Sequence, residues 1–75
     1  MIKDSLEKII NELVSKGILW HEVKAQFEKL FIIRVLVEQK GNLKRTSEIM
    51  GLHRNTLSKK IRLYSVDARK YRKSP

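Results

Sequence analysis

The sequence predicts an all-α protein of four short helices joined by tight turns. Three observations carry that prediction. Apolar residues recur every three or four positions, and no stretch alternates apolar and polar residues as a half-buried strand would. The three glycines, Gly17, Gly41 and Gly51, fall between the apolar runs, and the single proline is the last residue, Pro75. The chain has 75 residues and no cysteine, so neither a disulfide framework nor a cysteine-based zinc site staples it. A chain this short buries a small core, and close helix packing or oligomerisation must supply its stability.

The first helix is expected over residues 3–16. Ile2, Leu6, Ile9, Ile10, Leu13 and Val14 share one face, Asp4 and Glu7 favour the positive end of the helix dipole, and Gly17 suits the C-terminal cap. A longer second helix is expected over residues 20–39. Its apolar residues are Trp20, Val23, Phe27, Leu30, Phe31, Ile32, Ile33, Val35, Leu36 and Val37, so from Leu30 to Val37 only Arg34 breaks an apolar circumference. A helix apolar on every side must be covered on every side. Three other short helices cannot easily do that, and a second copy of the chain can. The expectation is therefore a symmetric homodimer. Its interface is expected to contain Leu6, Ile10, Leu13, Val23, Phe27, Leu30, Phe31, Ile33 and Arg34, making a dimeric four-helix core from residues 1–40 of two chains.

Asn42 is a good N-cap for a third helix over 43–50, with Leu43, Thr46, Ile49 and Met50 turned inward. Gly51-Leu52 makes a tight turn. A fourth helix over 54–64 follows, with Leu57, Ile61 and Tyr64 on its inner face. Short helix, glycine turn and amphipathic helix together form a helix-turn-helix pattern over residues 41–64, followed by a basic tail, 65–75.

Charge separates the two halves. Residues 1–41 hold seven Lys/Arg and six Asp/Glu, whereas residues 42–75 hold ten Lys/Arg and two acids, Glu48 and Asp67. Most of the net charge of +9 thus lies in the second half, as expected of a surface that meets a polyanion. In a helix-turn-helix the second helix enters the major groove of duplex DNA. Here it opens with His53, Arg54 and Asn55, whose side chains can bond base edges. Thr56, Ser58, Lys59 and Lys60 follow, types that reach phosphates and hold the helix in register, and Arg62 continues the same outer face.

The stretch from Gly41-Asn42-Leu43-Lys44-Arg45-Thr46 to Leu63-Tyr64 resembles the Fis-type helix-turn-helix. That unit occurs in the nucleoid protein Fis and in the C-terminal DNA-binding domain of NtrC-like, sigma-54-dependent activators. The matching residues are Gly41-Asn42, Met50-Gly51, Arg54-Asn55-Thr56-Leu57, Lys59-Lys60 and Leu63-Tyr64, and the third of these is closest to the NtrC branch. The resemblance implies an intertwined four-helix dimer flanked by two DNA-reading units. It implies a guanine-reading role for Arg54 and a place near a base for His53. Backbone contacts are implied for Asn42, Lys44, Arg45, Thr56, Lys59 and Lys60. Ser58 departs from Fis, which has a longer basic residue there. The N-terminal arm with which Fis contacts a recombinase has no counterpart, so recombination stimulation is not expected. The tail, with Arg69, Lys70, Arg72 and Lys73, is longer than the family's; touching phosphates and trailing as a solubilising end are both open to it.

These readings point to a bacterial transcription regulator acting on a pseudo-palindromic double-stranded site as a homodimer. Within the resemblance, an activator's DNA-binding domain is preferred to a free-standing Fis-like DNA-bending protein. A helical protein-interaction module with a basic face is the alternative from another class. Catalysis is not expected, because His21-Glu22 and His53 belong to no catalytic or metal-binding motif. No cofactor, metal, small-molecule substrate or membrane is expected. No apolar run approaches the roughly 18 residues of a membrane span, and a cytoplasmic, nucleoid-associated location is inferred.

Overall fold

The computed structural model describes residues 1–72. Four α-helices follow one another: α1 (Ile2–Ser15), α2 (Trp20–Glu38), α3 (Leu43–Met50) and α4 (Arg54–Leu63). A 3-10 turn, Ala68–Tyr71, follows them, and among the described residues there is no strand. The expected helices are thus all present, with ends shifted by a residue or so.

Backbone chemistry explains where the helices stop. After α1, Gly17 takes φ +71°. Its N–H donates to the Val14 carbonyl at 3.0 Å, and the Ile18 N–H reaches back to Leu13 at 3.2 Å. This paired closure satisfies carbonyls that the helix leaves open. The same pattern ends α2, with one difference from expectation. The left-handed residue next to the cap is Lys40, φ +54°, and Gly41 follows with φ +78°. Their N–H groups donate to Val37 at 3.2 Å and Leu36 at 2.8 Å. At the start of α3 the Asn42 carboxamide oxygen accepts from the Arg45 N–H at 3.1 Å, the capping bond its position predicts.

The core sits where α2, α3 and α4 meet. Ile32 and Leu36 of α2 pack with Leu57 and Ile61 of α4, and Leu43, Met50 and Tyr64 close around them. Thr46 is fully buried, its hydroxyl donating to the Asn42 carbonyl at 2.8 Å. Ile49, expected inside, is 52% exposed. Its neighbour Ser47 is buried instead, and its hydroxyl donates to the Lys44 carbonyl at 2.8 Å. On this short helix the inner face admits small side chains that satisfy their own polar atoms.

Residues 65–72 do not trail away. Val66, Ala68 and Tyr71 pack against the core, so the chain after α4 folds back over α2. The expectation of a solubilising end is corrected over these residues; Lys73 and Pro75 lie outside the described residues. Physically, three apolar side chains spaced along a short turn cover one flank of α2 that α3 and α4 leave open.

α1 is placed differently. It has no buried residue, and its apolar face carries exposed Leu6, Ile9, Ile10 and Val14. Only Leu13 is half-buried. α2 itself has two apolar faces. Ile32, Val35 and Leu36 are turned to α3 and α4, whereas Phe27, Leu30, Phe31 and Val37 face outward and are exposed. Val23 and Ile33 are half-buried, and Arg34 is exposed with its guanidinium 3.2 Å from Glu38.

Candidate nucleic-acid interface

α3, the Gly51-Leu52 turn and α4 set up the candidate surface. Gly51 closes α3 with φ +67°, and the Leu52 N–H returns to the Ser47 carbonyl at 2.9 Å. The turn therefore leaves α3 in a fixed direction, and α4 starts two residues later. Leu57 and Ile61 anchor α4 to the core by one face. The opposite face must then point to solvent, since successive residues of a helix are 100° apart.

His53 stands just before α4. Its Nδ1 accepts the Asn55 N–H at 3.1 Å, so the imidazole caps the helix it precedes. One ring nitrogen is thereby engaged within the chain, and Nε2 has no hydrogen-bond partner among the described residues. Arg54, Asn55, Thr56 and Lys59 are exposed, and Ser58 is half-buried. Asn42, Lys44 and Arg45 are exposed around the start of α3, with the Arg45 guanidinium 3.8 Å from Glu48.

Lys60 departs from expectation. Its ammonium lies 3.0 Å from Glu28 Oε2, and the Tyr64 hydroxyl donates to the same carboxylate oxygen. The side chains of Lys60 and Glu28 are only 29% and 26% exposed. Lys60 therefore ties α4 to α2 and does not project beside Lys59. The Tyr64 hydrogen bond first, and the Lys60 hydrogen bond second, hold the Glu28 carboxyl below the usual carboxylate range. The same bond to Glu28 raises the Tyr64 phenol above its usual value. The cause of the inward turn is register: position 60 falls one residue before Ile61 and four before Tyr64, at the edge of the buried face.

Arg62 takes the place that Lys60 leaves. It is exposed and follows Asn55 by seven residues and Lys59 by three, on the same outward stripe. Its spacing carried that signal in the sequence. Taken together, Arg54, Asn55, Thr56, Lys59 and Arg62 form a polar, cationic face that no acid of α4 interrupts. Arg and Asn on such a face can make paired bonds to guanine and adenine edges, while Lys and Thr bond phosphates.

Among the described residues, no group of three or more His, Cys, Asp or Glu side chains is placed to hold a metal ion. No helix there is long and apolar enough to cross a membrane. In comparisons with known proteins, residues 25–64 match the model of a family described as "Bacterial regulatory protein, Fis family". The match runs from within α2 to the end of α4, which takes in the whole helix-turn-helix. No curated protein and no solved structure gave a match.

Proposed function

Because the chain belongs to the Fis family of bacterial regulatory proteins, we propose that it binds double-stranded DNA in a sequence-specific manner, as a homodimer that regulates transcription. The observation that carries this reading is the outward face of α4, cationic and polar along its length, on a helix whose other face is locked to the core. In the proposed complex α4 enters the major groove. His53, Arg54 and Asn55 lie near base edges, and Asn42, Lys44, Arg45, Thr56, Ser58 and Lys59 lie along the backbone. Arg62 joins the backbone set in place of Lys60.

The uncovered Phe27, Leu30 and Phe31 of α2, with the exposed Leu6 and Ile10 of α1, support pairing of two chains. A dimer would present two α4 helices to successive major grooves about 34 Å apart on a pseudo-palindromic site. Duplex bending would follow if the two helices stand closer than one turn. Of the family's two settings, the Arg54-Asn55-Thr56-Leu57 opening of α4 favours the DNA-binding domain of an NtrC-like, sigma-54-dependent activator.

Fluorescence anisotropy with a labelled duplex obtained by binding-site selection tests the reading. The expected affinity falls linearly on log–log axes as salt rises, by about 0.9 per neutralised phosphate. Arg54→Ala should weaken binding to the selected site by about 1–3 kcal/mol and relax its sequence preference. A chain that ignores duplex DNA at low salt would instead fit a protein-interaction module with a basic face.

A further inference from the structure

A cleft of about 430 Å³ opens between the start of α3 and the segment that folds back after α4. Four cationic residues line it, Lys40, Lys44, Arg54 and Arg72, around the Gly41-Asn42 turn, and among the described residues no carboxylate does. Elsewhere among the described residues Lys3, Arg34, Arg45, Lys60 and Arg69 each have an acid within 4.0 Å, and the other unpaired cations, such as Lys59 and Arg62, are not gathered round one opening with the cleft's four. Among the described residues none of the four cleft cations forms an ion pair. Like charges gathered round one opening repel, and a bound anion relieves that repulsion. The N–H groups of Leu43 and Lys44 also open the first turn of α3 without an acceptor among the described residues, adding donors of the right sign.

The position of Arg72 is fixed by the fold. A Cβ on Gly41 would stand 2.8 Å from Arg72 Cγ, 3.1 Å from its backbone nitrogen and 2.9 Å from the Ala68 carbonyl oxygen. The glycine thus lets the returning chain rest directly on the α2–α3 junction. Val66, Ala68 and Tyr71 hold that chain to the core. Residues more than 30 positions apart in sequence are thereby brought to one cleft, beside Arg54 at the opening of α4.

We propose that this cleft seats a phosphate of the DNA backbone, and that the segment after α4 is a second DNA-binding element whose contact residue is Arg72, assisted by Lys40. The inference rests on the DNA-binding reading and extends it beyond α4. It is tested on the full chain by measuring anisotropy with one duplex across a salt series. Arg72→Ala and Lys40→Ala should each lower affinity severalfold and reduce the salt slope by about one unit. Arg69→Ala removes the same charge from the same returning segment outside the cleft, and should change the slope by much less. Thermal unfolding of Arg72→Ala should match the parent chain, separating lost contact from lost fold. Equal effects at positions 69 and 72, or no effect at 72, overturn the proposal while leaving binding by α4 intact. Failure of the parent chain to bind duplex overturns the function itself. If inorganic phosphate at constant ionic strength shifts the Asn42 and Lys44 amide resonances, yet Arg72→Ala binds duplex normally, the cleft is a small-anion site and the DNA assignment falls.

Discussion

Gly41 shows how one residue can be fixed by both its backbone and its surroundings. Its φ of +78° is one that side-chain-bearing residues rarely adopt, and its missing Cβ is where Ala68 and Arg72 approach. Gly51 also has a positive φ, +67°, but open space around it. The two substitutions should therefore differ. Gly51→Ala carries the left-handed strain alone, on the order of 1 kcal/mol. Gly41→Ala adds a clash with a backbone carbonyl and should cost clearly more in urea unfolding. Equal costs would mean that the returning chain does not rest on Gly41 in solution. Lys60 teaches the complementary lesson. Its residue type suits a phosphate contact, but its register beside Ile61 sends it to Glu28.

At the scale of elements, α2 is the hub. One of its faces holds α3 and α4, and Glu28 on that side receives both the Lys60 ammonium and the Tyr64 hydroxyl. This link orients α4 against α2, and it depends on pH in two directions. A carboxyl with a lowered folded pKa adds stability above its ordinary value and loses it as pH falls through the lowered one. For Glu28 the loss therefore comes on the acid side. A phenol with a raised folded pKa adds stability below its ordinary value and loses it as pH rises through the raised one, so for Tyr64 the loss comes on the alkaline side. Both partners of the ion pair are more than a quarter exposed, and water screens much of the interaction. Glu28→Gln should lower the urea midpoint at neutral pH and flatten the acid limb below pH about 4. An unchanged acid limb would assign the pH dependence to other carboxylates.

For the whole molecule, shape and surface argue together. The Cα radius of gyration is 14.3 Å, with extents of 45 × 27 × 22 Å. A compact chain of this length would have a radius near 11 Å by the usual scaling. The excess comes from α1, which lies apart from the core with its apolar face uncovered. Between α1 and α2 runs an apolar groove lined by Ile10, Leu13, Val14, Ile18, Trp20 and Val23. Apolar surface of this extent usually marks an interface, and fully burying one such side chain is worth about 1.5–3 kcal/mol. Under the proposed pairing, Phe31→Glu should dissociate the dimer in sedimentation equilibrium and leave α4 folded. Dimers that persist with this substitution would move the interface elsewhere. Loss of pairing should also weaken DNA binding, since each chain would then hold a single half-site.

Local sequence specified the four helices, the N-cap at Asn42, the turn at Gly51, the helix-turn-helix and the basic second half, because these depend on local periodicity, backbone stereochemistry and composition. It also showed that α2 is apolar all round. Which of those apolar residues face α3 and α4 was decided only by tertiary packing: Ile32, Val35 and Leu36 turn in, and Phe27, Leu30 and Phe31 turn out. Tertiary structure alone also drew Lys60 inward and folded Arg72 back beside Lys40 and Arg54. The physical reason is common to all three. A side chain's direction follows from which helical face is buried, and burial depends on segments distant in the chain that local sequence does not specify.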